Sequence, residues 1–279
     1  MSSTSLIVSK ILPFSCVDGP GNRLVIFLQG CNYNCINCHN PHTITHCNDC
    51  GDCTAFCDSK ALKKDASGKI TFTEELCTSC DLCTDNCTQN ANPKVQQYTT
   101  DSLVEIINKY RFFVNGITFS GGEATLQLKG LVNLISKIKA DPALCHLSIL
   151  IDSNGSLSAS GWHKILPFID GAMIDLKAWN SETHKKITGK GNERVIETIN
   201  LLAKANKLQE VRLLLIPELS DYQEHIFELT NYLEKLPQST VVKINAFRHH
   251  GVRQEAKKFK ECSVVEYLSL EQKIKGAPQ

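Results

Sequence analysis

The chain has 279 residues, of which 42% are apolar, and its formal net charge is +1. That length suffices for one large domain, or for a large domain and a small one, and the apolar content can build a core. The balanced charge indicates neither a nucleic-acid surface nor a membrane surface. Because no run of about 18 apolar residues and no signal-peptide pattern occurs, we expect a cytoplasmic protein that binds neither nucleic acid nor membrane. The balanced charge and the lack of a zipper pattern suggest a monomer.

Cysteine departs most from an ordinary composition. There are 14 cysteines, and eleven of them lie between Cys31 and Cys87. In a reducing compartment, clustered thiols hold metal more often than they form disulfides. The cysteines therefore predict metal centres near the beginning of the chain.

The first apolar run, LVIFLQG from residue 24, leads into a cysteine loop, residues 31–38, that contains Cys31, Cys35 and Cys38. A [4Fe–4S] cluster takes four thiolates in an electron carrier, so a cluster with three leaves one iron open to a substrate. A zinc site completed by His39 or His42, or simple buried thiols, is the alternative.

Two cysteine blocks follow, and they repeat one another. CNDCGDCTAFC begins at Cys47 and CTSCDLCTDNC begins at Cys77, so every cysteine recurs 30 residues later. In two-cluster bacterial ferredoxins the fourth cysteine of each such run ligates the other cluster. The ligand sets predicted in this way are Cys47, Cys50, Cys53 and Cys87 for one cluster, and Cys77, Cys80, Cys83 and Cys57 for the other.

Residues 42–94, which include both blocks and a hairpin-like piece with Gly68, are expected to form a small α+β two-[4Fe–4S] ferredoxin-like insert. The proline that usually follows the fourth cysteine is missing, and Asp58 and Thr88 stand in its place. Zinc is the alternative here as well. Residues 1–41 and 95–279 would form the main domain.

That main domain alternates strand-like and helix-like segments. Apolar residues recur at helical spacing in residues 100–113, 128–140 and 221–237, the last opening on the capping pair Asp221 and Glu224. Such alternation predicts βα units and a parallel sheet. The further strand-like runs are GITFSGGE from residue 116, LSILIDSNG from 147, GAMIDLKAW from 171, EVRLLLIPE from 210 and VVKINAF from 241. Six units are too few for an eight-unit barrel, so we expect an α/β fold, a partial (β/α)6 TIM-like barrel.

Polar motifs stand where these strands end, which is where sites form in folds of this class. SGGE brings Gly121 and Gly122, which let the backbone approach a ligand closely, and Glu123, which can accept hydrogen bonds from an ammonium group. DSNG brings Asp152, and DLK brings Asp175 and Lys177 to one face of their strand. Structural ion pairs are the alternative for the last three residues.

Together these motifs resemble a known family. CxxxCxxC after one strand and GGE after the next are typical of radical S-adenosylmethionine (SAM) enzymes. SCVDGPGNRLVIFLQGCNYNCINCHNP, TFSGGEATLQ, DSNG and DLKAW resemble, in the same order, the glycyl-radical-enzyme activating enzymes of the pyruvate formate-lyase activating type. With its two-cluster insert the chain is most similar to the YjjW-type subgroup, and the resemblance runs from about residue 7 to about residue 251.

The resemblance implies an anaerobic oxidoreductase with three [4Fe–4S] clusters. It would cleave SAM reductively to a 5′-deoxyadenosyl radical, which takes a hydrogen atom from a glycine Cα of a partner glycyl-radical enzyme. The implied electron donor is a flavodoxin or ferredoxin. Another radical SAM enzyme, acting on a small molecule or a peptide, and a non-catalytic electron carrier are the alternatives.

The resemblance also implies roles for individual residues. Cys31, Cys35 and Cys38 would hold the catalytic cluster, and Asp18 in VDGPG would contact the partner's glycine segment, although a plain turn explains it as well. The implied SAM-binding residues are Asn37, His39, Gly121, Gly122, Glu123, Asp152, Asp175, Lys177, Arg212, Arg248 and His250.

Some positions depart from the family pattern. Asn37 stands where an aromatic residue is usual, and Arg248 stands at the late-strand histidine position, which His249 or His250 would fill after a small shift. The 28 residues after Gly251 are expected to lack a final strand and helix. Outside the motifs, we expect His184 at the surface and Phe112 and Phe113 in the core at the end of a helix.

Overall fold

The computed structural model describes residues 4–276, which form two compact units. The first unit runs to Asn32 and continues over Asn40–Leu147, and the second contains Tyr33–His39 and the chain from Ser148 onward. The boundary passes through the cysteine loop, so Cys31 belongs to the first unit and Cys35 and Cys38 belong to the second.

The first unit is built on a four-stranded sheet and an added hairpin. Its elements are β1 (Ser5–Ser15), β2 (Arg23–Leu28), β3 (Leu62–Lys64), β4 (Ile70–Phe72), α1 (Leu82–Asp85), β5 (Gln96–Thr99), α2 (Thr100–Tyr110), β6 (Gly116–Gly121) and α3 (Leu128–Ala140). The sheet order is β6-β2-β1-β5. Strands β2 and β6 run parallel, with Leu28 opposite Gly121, whereas β1 runs antiparallel to both β2 and β5.

The second unit is a parallel sheet with helices between its strands. Its elements are β7 (Ser148–Ser153), α4 (Ala159–Ile165), β8 (Gly171–Leu176), α5 (Ser181–Thr188), α6 (Glu193–Lys204), β9 (Leu208–Leu215), α7 (Ile226–Leu233), β10 (Val241–Ala246) and α8 (Val264–Lys275). The sheet order is β10-β9-β8-β7, with parallel neighbours and with Asp175 opposite Arg212.

The six strand-like runs of the sequence are strands β2, β6, β7, β8, β9 and β10. Their residues are mostly buried without alternation; RLVIFL in β2, for example, is buried at five of its six positions. The predicted α/β class with a mostly parallel sheet is confirmed.

Four details of the sequence interpretation are wrong. Helix α7 begins at Ile226 because the Asp221 carboxylate instead accepts hydrogen bonds from the amides of Trp179 (2.9 Å) and Asn180 (2.8 Å). The chain does end in a helix, α8, whose start is fixed by a Ser263–Glu266 capping box.

The other two concern burial. His184 is fully buried, because α5 presents it to Tyr33 and to the carbonyl oxygen of Lys190. Phe112 and Phe113 are exposed, because they follow α2 in a turn beyond the sheet.

The insert repeats its backbone as well as its sequence. Left-handed φ angles occur at the pairs Asp49 and Ser79, Gly51 and Asp81, and Lys60 and Asn90, each pair 30 residues apart. The hairpin β3–β4 pairs Leu62 with Phe72, and Leu62 packs against Cys53 and Cys83.

A single parallel bridge between Thr45 and Ala91 brings the two ends of the insert together. Separately, none of the helices within residues 4–276 is both long and apolar enough to span a bilayer.

Candidate active site

In the first unit, the SGGE motif packs directly against the segment that leads into the cysteine loop. A Cβ on Gly121 would lie 2.1 Å from the Leu28 carbonyl oxygen, and a Cβ on Gly122 would lie 2.3 Å from that of Gly30. The amides of Gly122 and Glu123 donate to these same two carbonyls. The glycines are thus required for close approach of two backbones, which fixes the position of the residue before Cys31.

The Glu123 side chain is almost fully buried in this unit. Its Oε1 accepts hydrogen bonds from the Thr125 hydroxyl (2.6 Å) and from the Thr125 amide (3.1 Å). A carboxylate held in this position is a group that could bind the ammonium group of a ligand.

In the second unit, the cysteine-loop residues 34–38 are held by the end of helix α5. The amide of Asn34 donates to the Thr188 carbonyl (3.0 Å), and the amide of Ile36 donates to the Ile187 carbonyl (2.9 Å). The Ile36 side chain packs against an apolar cluster that includes Phe247. The loop therefore has a defined backbone supported by distant parts of the chain.

Cys35 and Cys38 form one turn of that loop, in which the Cys38 amide donates to the Cys35 carbonyl (3.2 Å). Burial raises the pKa of the Cys35 thiol to about 11, although the Lys177 ammonium acts in the opposite direction. A metal that displaces the proton offsets this penalty, since ligating thiols are bound as thiolates.

Asp175 and Lys177 lie at the carboxyl end of β8 and form an ion pair with a separation of 2.8 Å. Burial lowers the pKa of Lys177, but the charges of Asp175 and the Cys35 thiolate outweigh it and hold the pKa above its ordinary value. Lys177 is therefore a permanent cation beside Cys35.

Arg212 on β9 joins two carboxylates in the same unit. Its Nη1 donates to Asp152 Oδ1 (2.9 Å) and its Nε donates to Glu210 Oε2 (2.8 Å). Burial opposes the charge, but Asp152 and Asp175 hold the pKa of Arg212 above its ordinary value. The sequence interpretation missed Glu210, although its two-residue spacing from Arg212 places both on one face of the strand.

Asn37 is buried in the turn between Cys35 and Cys38, and its side-chain oxygen has no hydrogen-bond partner among the described residues. A buried acceptor without a donor is costly unless a ligand supplies one. An amino group of a bound nucleoside would do so. The donor set, two thiols in a supported turn with this acceptor between them, therefore fits an iron–sulfur cluster with SAM.

The residues that follow β10 contact two different parts of the chain. Arg248 donates from Nη1 to the Cys262 carbonyl, and the His249 ring bonds the Phe259 carbonyl (2.8 Å). The carbonyl of His250, by contrast, accepts from His39 Nδ1 (2.8 Å). Of the three late-strand candidates, Arg248 and His249 are thus engaged with the C-terminal segment.

Asp18 lies in the VDGPG turn of the first unit. Its carboxylate accepts from the Ser15 hydroxyl (2.5 Å), and its carbonyl accepts from the Thr118 hydroxyl (2.7 Å). Buried Arg23, which the sequence analysis did not single out, bonds Thr118 Oγ1 (2.6 Å) and supports the turn from beneath.

The insert contains a pocket, and cysteines from both blocks line it. Its lining includes Cys47, Cys50, Cys53 and Cys87, the four residues that the ferredoxin spacing assigns to one cluster. Within residues 4–276, no three Cys, His, Asp or Glu side chains are grouped around a single-ion position. Each thiolate of a cubane binds a different iron, so a cluster requires a wider ring of sulfur atoms than one ion does.

Thiol environments are matched between the blocks. The amide of Asp49 lies 3.4 Å from Cys47 Sγ, and the amide of Ser79 lies at the same distance from Cys77 Sγ. Burial acts to raise the pKa of the Cys57 thiol, but hydrogen bonds from the Leu62 amide and other donors lower it. Such N–H···S contacts favour thiolate ligands.

The family model described as the Radical SAM superfamily matches residues 25–233. The 4-hydroxyphenylacetate decarboxylase activating enzyme of Clostridioides difficile (strain 630) is 30% identical over 269 residues, covering 88% of this chain and 82% of that protein. The pyruvate formate-lyase-activating enzyme of Streptococcus mutans is 29% identical over 232 residues, covering 82% of this chain and 73% of its own length.

Among solved structures, SuiB of Streptococcus suis bound to the precursor peptide SuiA superposes with a TM-score of 0.55 at 14% identity. The match covers 91% of this chain and 46% of SuiB. At that identity the structural similarity supports the fold alone.

Proposed function

Because the chain belongs to the radical SAM superfamily, a family of enzymes that use a [4Fe–4S] cluster and SAM, we propose that it activates a glycyl-radical enzyme. The observation that carries the proposal is the family match over residues 25–233 together with curated relatives that are themselves activating enzymes of glycyl-radical enzymes. The partner would be a glycyl-radical enzyme whose glycine segment enters the site.

Cys31, Cys35 and Cys38 would hold the catalytic cluster. When bound, that cluster supplies one electron that splits SAM into methionine and a 5′-deoxyadenosyl radical. Transfer of a hydrogen atom from the glycine Cα to that radical would leave 5′-deoxyadenosine and a glycyl radical. The supported turn of Cys35 and Cys38, buried beside the Lys177 cation, is consistent with this role.

The SAM-binding residues would act by charge and by shape. Glu123 offers a buried carboxylate to the ammonium group of SAM, and Lys177 offers a cation to its carboxylate. Asn37 offers its unpaired oxygen to an amino group of the adenine. The remaining members of the set are His39, Gly121, Gly122, Asp152, Asp175, Arg212, Arg248 and His250.

Asp18 would contact the glycine segment of the partner enzyme. Its bonds to Ser15 and Thr118 hold the VDGPG turn in one shape, which suits a surface that must receive an extended peptide. A turn braced in this way loses little conformational entropy when a peptide binds.

Residues 42–94 would form a ferredoxin-like insert that carries two further clusters, within a partial (β/α)6 barrel formed by residues 1–41 and 95–279. The pocket lined by Cys47, Cys50, Cys53 and Cys87 and the 30-residue repeat of the backbone support this part of the proposal. The second cluster would use Cys77, Cys80, Cys83 and Cys57. Together the two clusters would pass electrons from a flavodoxin or ferredoxin to the catalytic cluster.

A cytoplasmic location fits such chemistry, because thiolate-bound clusters persist in a reducing compartment and no disulfide occurs within residues 4–276.

The proposal is tested by anaerobic incubation of reconstituted protein with SAM, a reductant and candidate glycyl-radical enzymes. We expect 5′-deoxyadenosine and a glycyl-radical signal in electron paramagnetic resonance (EPR) spectra. The Cys35→Ala variant is the control and should give neither. If 5′-deoxyadenosine forms while every candidate partner stays silent, the activating function is wrong and a different radical SAM reaction takes its place.

A further inference from the structure

Within the second unit, the turn after β10 contacts residues 34–39 at three points. Arg253 Nη1 donates to Asn34 Oδ1 (2.8 Å), and Arg253 Nη2 donates to the Cys35 carbonyl (2.7 Å). His39 Nδ1 donates to the His250 carbonyl (2.8 Å). A Cβ on Gly251 would lie 2.6 Å from the His39 carbonyl oxygen, so the two backbones are in direct contact.

We propose that Arg253 is a positioning residue for the catalytic [4Fe–4S] cluster. It fixes the turn that carries Cys35 and Cys38, and it brings a permanent positive charge to the peptide group of Cys35. The inference rests on the cluster that family membership implies, and it does not depend on which substrate the enzyme activates.

Arg253 bonds the same carbonyl group that closes the turn between Cys35 and Cys38. The Cys35 carbonyl already accepts the Cys38 amide at 3.2 Å, which closes the turn between the two thiols. Arg253 adds a charge-assisted bond to the same oxygen and ties it to the side chain of Asn34. A planar guanidinium can make both bonds at once, whereas an ammonium group cannot reproduce that fork.

Other cations of this stretch do not serve the same turn. Arg248 is bonded to the Cys262 carbonyl, and the His249 ring is bonded to the Phe259 carbonyl. From the opposite side the turn is supported by backbone groups of Ile187 and Thr188, which carry no net charge. Arg253 therefore supplies both a bridge and a charge.

Two measurable effects follow. Loss of the bridge should loosen the cluster, and outer-shell partners of metal ligands are worth about 10- to 100-fold in metal affinity. Loss of the charge should lower the reduction potential of the cluster, because a nearby cation stabilises its more negative, reduced form.

The experiment compares Arg253→Met, Arg253→Lys and the exposed control Lys257→Met in the full chain, reconstituted without oxygen. The catalytic cluster is identified as the one whose EPR signal changes when SAM is added. Iron loss from it to a chelator and its midpoint potential are then measured, and the circular dichroism spectrum and melting temperature of each protein serve as the measure of correct folding.

We expect Arg253→Met to lose iron from this cluster about 10- to 100-fold faster than wild type and to have a lower midpoint potential. Arg253→Lys should keep the potential but lose iron faster, and Lys257→Met should match wild type in both.

Wild-type iron retention and potential in Arg253→Met would overturn the inference. If Arg253→Met fails to fold, as a changed circular dichroism spectrum or a lost melting transition would reveal, wild-type iron retention in Arg253→Lys overturns it instead. A protein that shows the expected effects but activates no glycyl-radical enzyme would refute the proposed function and leave this inference intact.

Discussion

The cysteine loop and the two insert blocks both present thiols at short spacing, but they keep their shape by different means. The blocks rely on local bonds that recur 30 residues apart: Thr54 Oγ1 donates to the Gly51 carbonyl (2.8 Å), and Thr84 Oγ1 donates to that of Asp81 (2.7 Å). Residues 34–39 of the loop region instead depend on helix α5 and on the turn after β10. A closed cluster can be specified by its own segment, whereas a cluster that must present an open iron needs positioning by the whole domain.

The largest expected effect separates the loop from the blocks. Cys35→Ala removes one of the three ligands that we propose for the catalytic cluster, so SAM cleavage should be abolished with any reductant, while iron in the insert remains. Chromatographic detection of 5′-deoxyadenosine and iron counting check this. Cys145→Ala, at an exposed thiol, should behave as wild type, and residual cleavage in Cys35→Ala would overturn the ligand assignment.

The second-largest effect, loss of SAM cleavage when the insert is damaged, should depend on which reductant supplies the electrons. Cys53→Ala breaks the ligand set that we propose for the insert pocket, so the protein should lose one of the proposed clusters, about four iron atoms per chain. Cleavage of SAM should be lost with reduced flavodoxin but retained with dithionite, a small reductant that reaches the catalytic cluster directly. Full activity with flavodoxin would show that the insert clusters are structural only.

A smaller effect concerns the difference between the blocks. Asp81 is paired with Lys94, whereas the equivalent Gly51 has no charge and lies beside Lys64. Asp81→Gly should raise the reduction potential of the proposed cluster that takes three of its ligands from the second block. The reverse swap, Gly51→Asp, should lower the reduction potential of the proposed cluster that takes three ligands from the first block, because cluster potentials follow local charge. EPR redox titration measures both. Glycine tolerates the left-handed φ of Asp81, whereas aspartate is strained at Gly51, where φ is 96°, so the folding of Gly51→Asp is checked by circular dichroism.

If both swapped proteins keep wild-type midpoint potentials, the charge difference between the blocks has no role in electron transfer. Lys257→Met changes an exposed charge in the second unit, so it is the control and should leave both potentials unchanged.

The smallest effect is a pH dependence of the support under the loop. Burial, with the Lys177 charge, lowers the pKa of His184, although the Lys190 carbonyl, Glu193 and Asp221 act in the opposite direction. The folded pKa lies below the unfolded value, so the unfolded chain binds the proton first as pH falls below about 6.5. Stability is therefore present above that pH and is lost below it, by up to roughly 1.4 kcal/mol per pH unit.

Melting temperature between pH 7 and pH 5 measures this dependence. His184→Gln keeps a donor for the Lys190 carbonyl but cannot titrate, so its melting temperature should fall less than that of wild type. The exposed His163→Gln serves as the control and should follow wild type. An unchanged slope in His184→Gln would exclude His184 as the source.

The sequence predicted the six parallel strands because each is a short apolar run that ends on a polar motif. It did not predict β1 and β5, since β1 is only half-buried and carries no continuous apolar run. Ser263 and Glu266 have the sequence spacing of a capping box at the start of α8, but the expectation of no final helix rests on the shortness of the segment after Gly251.

The site was predictable to the extent that its residues lie in local motifs. Asp175 and Lys177 are two residues apart, and their pairing follows from strand geometry. Arg253 is 218 residues from Cys35, and no local pattern connects them. Asp221 is a case in which a local pattern misleads. Its residue type and position are typical of a helix cap, but its carboxylate accepts hydrogen bonds from the amides of a distant turn instead.

The bridge between Thr45 and Ala91 has a consequence for how this architecture can change. Bridged strands lie only about 5 Å apart, so the chain leaves for the insert and returns from it at neighbouring points. Gln29, just before the cysteine loop, already holds the Thr45 carbonyl at 2.7 Å. A segment joined to its host in this way can be gained, lost or exchanged whole during evolution, with only a short connecting peptide needed to restore the path of the chain.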